Sequence, residues 1–353
     1  MEQLSRSRGT FASRVRISTV ERRPGSANHG QDTATRANCD LSLKRLSPEE
    51  DPESMSGADS STIPNEFFPP FELMRPNAQN VPFVFSSPHS GRIYPASFLA
   101  QSRLDPMALR KSEDCYVDRL FSGVAKMGAP LLSARFPRAY LDLNREPYEL
   151  DPELVADPLP AHANSQSVRV AGGLGTVARI VSDGEEIYYR QLSLAAVLAR
   201  IEHLYFPFHR ELTRMVDETH RMFGYCVLID CHSMPSSAMA PAGGQRPDVV
   251  IGDRYGSSCD GRLTALLKDA FVARGFDVQL NRPYAGGFIT EHHGRPGRGV
   301  HALQIEVNRG LYLDERAMIE GPGYRALEAD ILDIAKDLFA AAPQIFERRA
   351  AAE

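Results

Sequence analysis

The sequence contains no tryptophan, few cysteines, no excess of basic residues and no apolar stretch long enough to cross a bilayer. Its five cysteines are odd in number and form no Cys-x-x-Cys pair. This pattern argues against a disulfide framework or a zinc ribbon and for a reducing compartment, so we expect a cytoplasmic protein. The formal net charge of −5 gives no basic field, and we expect neither nucleic acid nor a membrane as a partner.

The overall composition is that of an ordinary globular protein, but the N-terminal residues differ from the rest of the chain. Of 353 residues, 42% are hydrophobic and 24% charged, as is usual for one large domain or two ordinary ones. Residues 1–65 are rich in Ser, Arg, Gly and Asn without sustained periodicity, and they predict a disordered N-terminal extension. An organelle transit peptide is the alternative, but the apolar face it needs is not convincing. Residues 66–353 predict the folded domain.

Two histidines stand at the ends of predicted strands. The apolar residues 227–229 predict a buried strand, and Asp230 and His232, two residues apart, point to one face of it. Residues 81–85 predict another strand, and His89 follows its end. Ligand sites in open α/β sheets form at the carboxyl ends of strands, so the pair indicates a metal site. For either histidine taken alone, a core residue bonded to a neighbouring group is the alternative.

A carboxylate that could complete such a site lies between these strands. Residues 105–127 carry apolar side chains at helical spacing and predict a helix. Within it, Glu113 and Asp114 are candidate metal ligands, or else charges on a solvated face or cap. The residues themselves leave that choice open.

Three arginines follow the next predicted strand, at Arg135, Arg138 and Arg145. We predict an extended segment between them, with Asp142 and Asn144 on one face. Arginine suits two-point recognition of a substrate carboxylate. Internal pairing with nearby acids is an equal alternative, because a buried guanidinium needs a partner in either case.

A polar strand face lies near the C-terminus. Residues 303–308 alternate apolar and polar side chains and predict a strand with one polar face. Glu306 lies on that face between β-branched neighbours, and burying a lone carboxylate is costly unless the group is paired or used. Glu306 is therefore a candidate functional acid, with an exposed edge strand as the alternative.

Amphipathic patterns predict three further helices, over residues 188–223, 261–274 and 324–348. Pro207 should break or kink the first of them. The glycine-rich residues 172–175 match no nucleotide-binding fingerprint and predict a flexible loop beside a pocket. His292 and His293 should be exposed on a mobile loop.

These residues together describe metal-assisted hydrolysis of an amide. Two histidines and one carboxylate form a three-ligand set of the zinc type, which leaves a position for water. Glu306 could take the proton of that water, and the arginines could hold an anionic substrate.

The motifs make the chain resemble the N-formylglutamate amidohydrolase family, which is related to the zinc carboxypeptidases. The resemblance runs from about residue 83 to the final helix, and the motifs stand in family order. They are Ser87-Pro88-His89-Ser90-Gly91, Asp114 with Val117-Asp118-Arg119-Leu120-Phe121, Leu141-Asp142-Leu143-Asn144-Arg145, Gly173-Leu174-Gly175-Thr176, Ile229-Asp230-Cys231-His232-Ser233-Met234-Pro235 and Gln304-Ile305-Glu306-Val307-Asn308-Arg309.

The resemblance implies a fold and a reaction. The fold would be α/β, a three-layer α/β/α domain around a mixed sheet, like that of the zinc carboxypeptidases. The reaction would be hydrolysis of N-formyl-L-glutamate to formate and L-glutamate, the closing step of one route of histidine degradation. By position, His89, Asp114 and His232 would bind one zinc ion, and Glu306 would be the general base.

The resemblance also implies how a small anionic N-acyl amino acid would be held. Asn144 and Arg145 would bind its carboxylate, and Arg138 would help to stabilise the oxyanion. Two alternatives stay open. One is a hydrolase of a different N-acyl or N-formyl amino acid, or of a small peptide, with the same zinc core. The other is a catalytically silent binding protein that has kept the fold.

One departure from the zinc carboxypeptidases affects the ligand set. Those enzymes place a glutamate ligand three residues after the first histidine, where this chain has Arg92. The carboxylate ligand must therefore come from elsewhere. Asp114 is the better match to the family pattern, and Glu113 is its rival.

Overall fold

A computed structural model describes residues 62–181, 184–237 and 246–350 of the chain. The extension predicted for residues 1–65 lies outside the described residues up to residue 61. The described fold begins with a 3₁₀ turn at Asn65–Phe67, and Ile63 and Phe67 are buried in the core. The Phe67 ring packs edge-on against Phe136, with the ring centroids 5.9 Å apart.

A mixed seven-stranded sheet carries the site. Its strands are β1 (Phe71–Met74), β2 (Phe83–Ser87), β3 (Leu131–Ala134), β4 (Cys226–Met234), β5 (Val249–Gly252), β6 (Val278–Leu280) and β7 (Val300–Asn308). Their order in the sheet is β1-β3-β2-β4-β7-β5-β6. The central strands β3, β2, β4 and β7 are parallel, whereas β1 and β5 run antiparallel to their neighbours β3 and β7. The carboxyl ends of β2, β4 and β7 therefore meet at one edge of the sheet.

Helices cover both faces of this sheet. They are α1 (Ala96–Leu99), α2 (Pro106–Arg110), α3 (Val117–Leu120), α4 (Val168–Ala171), α5 (Leu194–Arg200), α6 (Phe206–Phe223), α7 (Gly261–Val272), α8 (Phe288–His293) and α9 (Tyr324–Ala350). Side chains alternate along β4: Leu228 packs with α5 and α6, and Val227 and Ile229 pack with α7 and α9. The predicted α/β class with three layers is thus confirmed. Of the helices described, every one is too short or too polar to span a membrane.

The long helix predicted over residues 188–223 begins later and changes its winding before Pro207. Helix α5 passes directly into a π-helical turn, Ile201–Tyr205, and then into α6. Proline has no N–H to donate and its ring crowds the preceding turn, so a local change of winding relieves the clash. The predicted irregularity at Pro207 is confirmed.

The single helix predicted over residues 105–127 is wrong. The chain forms α2, α3 and a 3₁₀ turn, with a break around Asp114. There the Asp114 N–H donates to the His89 carbonyl at 3.1 Å, and Tyr116 takes a left-handed φ of 60°. The helical spacing reflects burial of separate short turns, and the break brings the Asp114 side chain to the sheet edge.

The prediction of an extended segment around Asp142 is also wrong. Residues 138–145 form successive turns. The Tyr140 N–H donates to the Pro137 carbonyl at 2.9 Å, and the Asp142 carboxylate accepts the Asn144 N–H at 2.8 Å. A short acid side chain that captures a backbone N–H two residues on favours a turn over a strand.

The segment around His292 is a helix, so the predicted mobile loop is wrong. In α8, Ile289 and His293 are buried and His292 is exposed. Expected exposure is therefore right for His292 and wrong for His293. Glu306 lies on β7, which is flanked by β4 and β5. The edge-strand alternative for Glu306 is excluded by that position.

Candidate metal centre and active site

Three predicted ligands come together at the carboxyl edge of the sheet. His89 follows β2, His232 lies near the end of β4, and Asp114 comes from the break between α2 and α3. One ligand atom from each lies within 4.8 Å of the others, and all three side chains are buried. Asp114 Oδ2 is 2.9 Å from His232 Nδ1 and 3.4 Å from His89 Nδ1. The group could hold a metal ion.

The outer nitrogen of each histidine ring bonds to a carboxylate. His89 Nε2 lies 2.7 Å from Asp142 Oδ1, and His232 Nε2 lies 2.8 Å from Asp230 Oδ2. Donation from Nε2 leaves Nδ1 as the acceptor that faces Asp114, and His89 Nδ1 is buried with no hydrogen-bond partner among the described residues. Metal-binding histidines are oriented in this way. The residues present therefore fit a divalent ion.

The acids around the two histidines favour a positive charge at the centre of this group. The Nδ1 lone pair of a neutral His232 would face the Asp114 carboxylate, which is repulsive unless a proton or a metal cation lies between them. Burial of the His232 imidazole favours a lower pKa, but Asp230 and Asp114 outweigh burial and raise the pKa of His232 well above its usual range. Burial of Asp114 favours a raised pKa, but the adjacent imidazoles of His232 and His89 hold the pKa of Asp114 well below its usual range. The site therefore favours bound cationic charge.

Glu113, the rival of Asp114, points away from the histidines. Its carboxylate accepts from Tyr94 Oη at 2.6 Å and from Arg110 Nε at 3.2 Å. The Cys115 thiol also donates to it, at 3.0 Å. Glu113 is thus used in a buried structural cluster, while the adjacent Asp114 faces the two histidines.

Glu306 lies on the strand next to His232. The two residues are paired in the register of β4 and β7, and Glu306 is buried with 7% of its surface exposed. Burial raises the pKa of its carboxyl to about 7, although nearby positive groups including His232 oppose the shift. Gln304 Nε2 donates to Glu306 Oε1 at 2.8 Å and so fixes the carboxylate. A buried carboxyl group that titrates near neutrality suits a proton acceptor.

Of the three predicted arginines, Arg138 and Arg145 lie at the site and Arg135 does not. Arg138 Nε donates to Asp142 Oδ2 at 2.9 Å, and Arg145 lies 3.5 Å from the same oxygen. Burial of the Asp142 carboxyl favours a higher pKa, but these two arginines outweigh burial and lower the pKa of Asp142 well below its usual range. Both arginines also line the central cavity. Arg135 lies elsewhere and donates to the Pro69 carbonyl at 3.1 Å.

The Asn144 side chain is engaged by the protein at both ends. Its Nδ2 donates to Asp230 Oδ2 at 3.1 Å, and its Oδ1 accepts the Ile289 N–H at 2.8 Å. The residue lines the cavity and is 4% exposed. Its contacts therefore orient Asp230, which in turn orients His232.

A cavity of about 600 Å³ joins these groups. It is lined by the predicted residues His89, Arg138, Asn144, Arg145, His232 and Glu306. Leu174 in the glycine-rich loop also lines it, and Gly173 there has a left-handed φ of 71°. The predicted placement of that loop beside a pocket is confirmed.

Sequence reasoning missed Arg309 as a site residue. Its guanidinium donates to Asp114 Oδ1 at 3.2 Å and to Ser233 Oγ at 3.1 Å, and it is 5% exposed. A third bond runs to the Lys111 carbonyl at 2.9 Å. Arg309 thus fixes the second oxygen of Asp114. The sequence signal that could have identified Arg309 is its position directly after the strand that carries Glu306.

Comparisons with known proteins agree with one another. The N-formylglutamate amidohydrolase family model matches residues 81–313. A protein named N-formylglutamate deformylase from Pseudomonas aeruginosa is 29% identical over 241 residues, which cover 67% of this chain and 84% of that protein. One with the same name from Pseudomonas putida is 27% identical over 238 residues, covering 67% and 83%.

Solved structures point the same way. The crystal structure of N-formylglutamate amidohydrolase from Ralstonia eutropha aligns with a TM-score of 0.72 at 33% identity, and it covers 80% of this chain and 99% of that one. A gene product from Agrobacterium tumefaciens aligns with a TM-score of 0.53 at 20% identity, over 79% and 96% of the two chains. The second similarity supports the fold alone.

Proposed function

The chain belongs to the N-formylglutamate amidohydrolase family, and on that premise we propose that it hydrolyses N-formyl-L-glutamate to formate and L-glutamate. One observation carries the proposal beyond the family match. The His89, Asp114 and His232 group and the buried Glu306 carboxyl lie together at the cavity that the arginines line. The cytoplasmic location stays a prediction from the sequence.

We propose zinc as the metal, with His89, Asp114 and His232 as its ligands. Two imidazoles and one carboxylate are a usual ligand set of catalytic zinc. The Asp142 and Asp230 carboxylates support this assignment, because they fix the ring nitrogens that face Asp114. A divalent ion held there supplies Lewis-acid polarisation of a carbonyl oxygen and lowers the pKa of water.

Glu306 is the proposed proton carrier. Its carboxylate accepts a proton from the water whose oxygen attacks the formyl carbon. As the carbon–nitrogen bond breaks, Glu306 returns that proton to the amine nitrogen, so formate and L-glutamate leave and the carboxylate is restored. The bond from Gln304 Nε2 keeps one oxygen of Glu306 fixed while the other exchanges the proton.

The arginines at the cavity wall are the proposed anion contacts. Arg145 would hold a carboxylate of the substrate, and Arg138 would stabilise negative charge on the formyl oxygen in the transition state. Asp142 orients the side chains of Arg138 and Arg145, since it pairs with each of them and also with His89. Asn144, predicted as a substrate ligand, acts in this proposal with Asp230 to orient the site.

The test couples metal analysis to product detection on the purified full chain. We expect one zinc per chain and equimolar formate and L-glutamate from N-formyl-L-glutamate. N-acetyl-L-glutamate and N-formyl-L-methionine serve as comparison substrates for the acyl group and the side chain. Faster hydrolysis of either comparison substrate would replace the proposed substrate, and absence of any hydrolysis by the zinc-loaded chain would contradict the proposal.

A further inference from the structure

We propose that Arg254 binds the side-chain carboxylate of the substrate and so selects glutamate over uncharged amino acids, an inference that rests on the proposed function. N-formyl-L-glutamate carries two carboxylates, and the contacts proposed above account for one of them. Arg254 lines the same cavity from the loop that follows β5. Its backbone, the packing of its side chain and its ion-pair partner all support this role.

The backbone at Arg254 is held in an unfavourable conformation. Arg254 and Tyr255 have left-handed φ values of 55° and 56°, which non-glycine residues adopt rarely and at a cost. Asn281 Oδ1 supports the turn by accepting the N–H groups of Asp253 and Tyr255, at 3.0 and 3.2 Å. The Arg254 N–H donates to the Ala285 carbonyl at 2.8 Å. A buried network thus maintains a strained turn at the cavity wall.

Two glycines let the Arg254 side chain lie across the neighbouring loop. A Cβ on Gly252 would meet the Ala285 carbonyl carbon at 2.6 Å, so the two loops pack backbone to backbone. Gly286 has a φ of 115°, and a Cβ there would lie 3.3 Å from Cγ and Cδ of Arg254. A side chain at Gly252 would force the two loops apart, and one at Gly286 would clash with Thr290 Oγ1 and press against the Arg254 side chain.

The ion-pair partner of Arg254 can be released into solvent. Its guanidinium lies 2.8 Å from Glu291 Oε1, and the Glu291 side chain is 57% exposed. An exposed pair of this kind contributes little to stability, so a substrate carboxylate can replace Glu291 without leaving a buried charge unpaired. Two parallel N–H bonds from the planar guanidinium suit that carboxylate.

The other arginines of the cavity are bound to buried acids. Arg138 and Arg145 pair with Asp142, and Arg309 pairs with Asp114. Arg169 lies 3.7 Å from Glu149, whose side chain is 2% exposed. Drawing any of these arginines away from its acid would leave a buried carboxylate uncompensated, which is costly. Arg138 and Arg145 can therefore contact the substrate only through their remaining N–H groups while they stay paired with Asp142. Arg254 is free of that constraint.

The experiment compares N-formyl-L-glutamate with N-formyl-L-glutamine, which has the same shape without the second charge. We expect wild-type protein to prefer the glutamate substrate in kcat/KM. In Arg254→Met, kcat/KM for N-formyl-L-glutamate should fall about 10- to 100-fold, while that for N-formyl-L-glutamine changes little. Arg254→Lys should retain part of the preference. Retained hydrolysis of N-formyl-L-glutamine shows that the variant is folded.

Lys111→Met is the matched control. Lys111 also lines the cavity, and its ammonium pairs with the exposed Glu185 at 3.3 Å. This variant should keep the preference for glutamate. The inference is overturned if Lys111→Met loses the preference for glutamate and Arg254→Met keeps it. It is also overturned if kcat/KM falls equally for both substrates in Arg254→Met. A wild-type chain that hydrolyses N-formyl-L-glutamine as fast as N-formyl-L-glutamate overturns the subsite alone. One that hydrolyses neither overturns the proposed function and this inference with it.

Discussion

His232 and Glu306 are paired in register on the adjacent parallel strands β4 and β7, and both side chains line the same cavity. Their separation is therefore set by the sheet and does not depend on a loop. A proton acceptor placed on one strand beside a metal ligand on the next is held in position before the substrate binds.

Glu306→Gln should abolish turnover while leaving binding intact. The amide keeps the shape of the side chain but cannot accept the proton, so kcat should fall about 100- to 10,000-fold. Zinc content and the binding of L-glutamate should stay near wild-type values. Formate release and metal analysis check both. Glu320→Gln, in the exposed two-residue strand Ile319–Glu320, is the control. Near-normal turnover in Glu306→Gln would remove Glu306 from the mechanism.

Asp114 and Glu113 should differ sharply when each is made neutral. Asp114→Asn removes the carboxylate between the two histidines and should lose stoichiometric zinc. Glu113→Gln should keep zinc but lower the free energy of unfolding by about 1–3 kcal/mol, because Arg110 loses its charged partner. Metal analysis and urea unfolding distinguish the two effects. Loss of zinc from Glu113→Gln alone would reverse the assignment.

Asp230→Asn should weaken zinc binding without removing a ligand. Asp230 fixes the ring of His232 through a 2.8 Å bond, and loss of such a bond typically lowers metal affinity about 10- to 100-fold. Competition with a zinc chelator measures the change in Kd. His292→Ala, which alters an exposed histidine, is the control. An unchanged Kd in Asp230→Asn would show that the His232 ring is positioned by other contacts.

The rate should rise with pH in the slightly acidic range. Glu306 must be ionised to accept a proton, and burial raises the pKa of this group to about 7. A cation at the neighbouring histidines favours the ionised form, so kcat/KM should rise tenfold per pH unit and level off at or below about pH 7. Formate release measured from about pH 5 to pH 9 checks this. A rate that falls as the pH rises through this range would mean that the protonated form is active.

Stability should fall on acidification because of two buried imidazoles. Burial lowers the pKa values of His209 and His293 to about 3. Below about pH 6.5 the unfolded chain binds protons at these sites and the folded chain does not, so the contribution is complete above that pH. Each group should lower the free energy of unfolding by about 1.4 kcal/mol per pH unit between about pH 6 and pH 3.5.

His209→Gln tests that slope with little change in packing. The side-chain amide can still donate to the Leu143 carbonyl, which His209 Nε2 contacts at 2.9 Å. Urea unfolding at about pH 7 and pH 5 should show a smaller loss of stability in this variant than in wild type. The exposed His162→Gln is the control and should keep the wild-type slope. A steeper slope in His209→Gln would contradict the expected pKa shift.

The sequence by itself placed His89, His232 and Glu306 at or near strand ends, and the α/β class followed from its resemblance to the family. Apolar runs and alternation are local signals, and the carboxyl ends of parallel strands meet wherever such a sheet forms. Periodicity could not reveal the break at Asp114, because short buried turns and one long helix give the same spacing of apolar residues.

Only the tertiary structure decided which charges meet. Glu113 and Asp114 are neighbours in the chain, yet one carboxylate faces Arg110 and the other faces His232. The tertiary structure likewise decided the partners of the Asn144 amide, which bonds to Asp230 and to the Ile289 N–H. Arg254 gave no local signal at all, since its role depends on a turn fixed from residue 281. Partners distant in sequence set each group's direction and charge, and no local pattern encodes them.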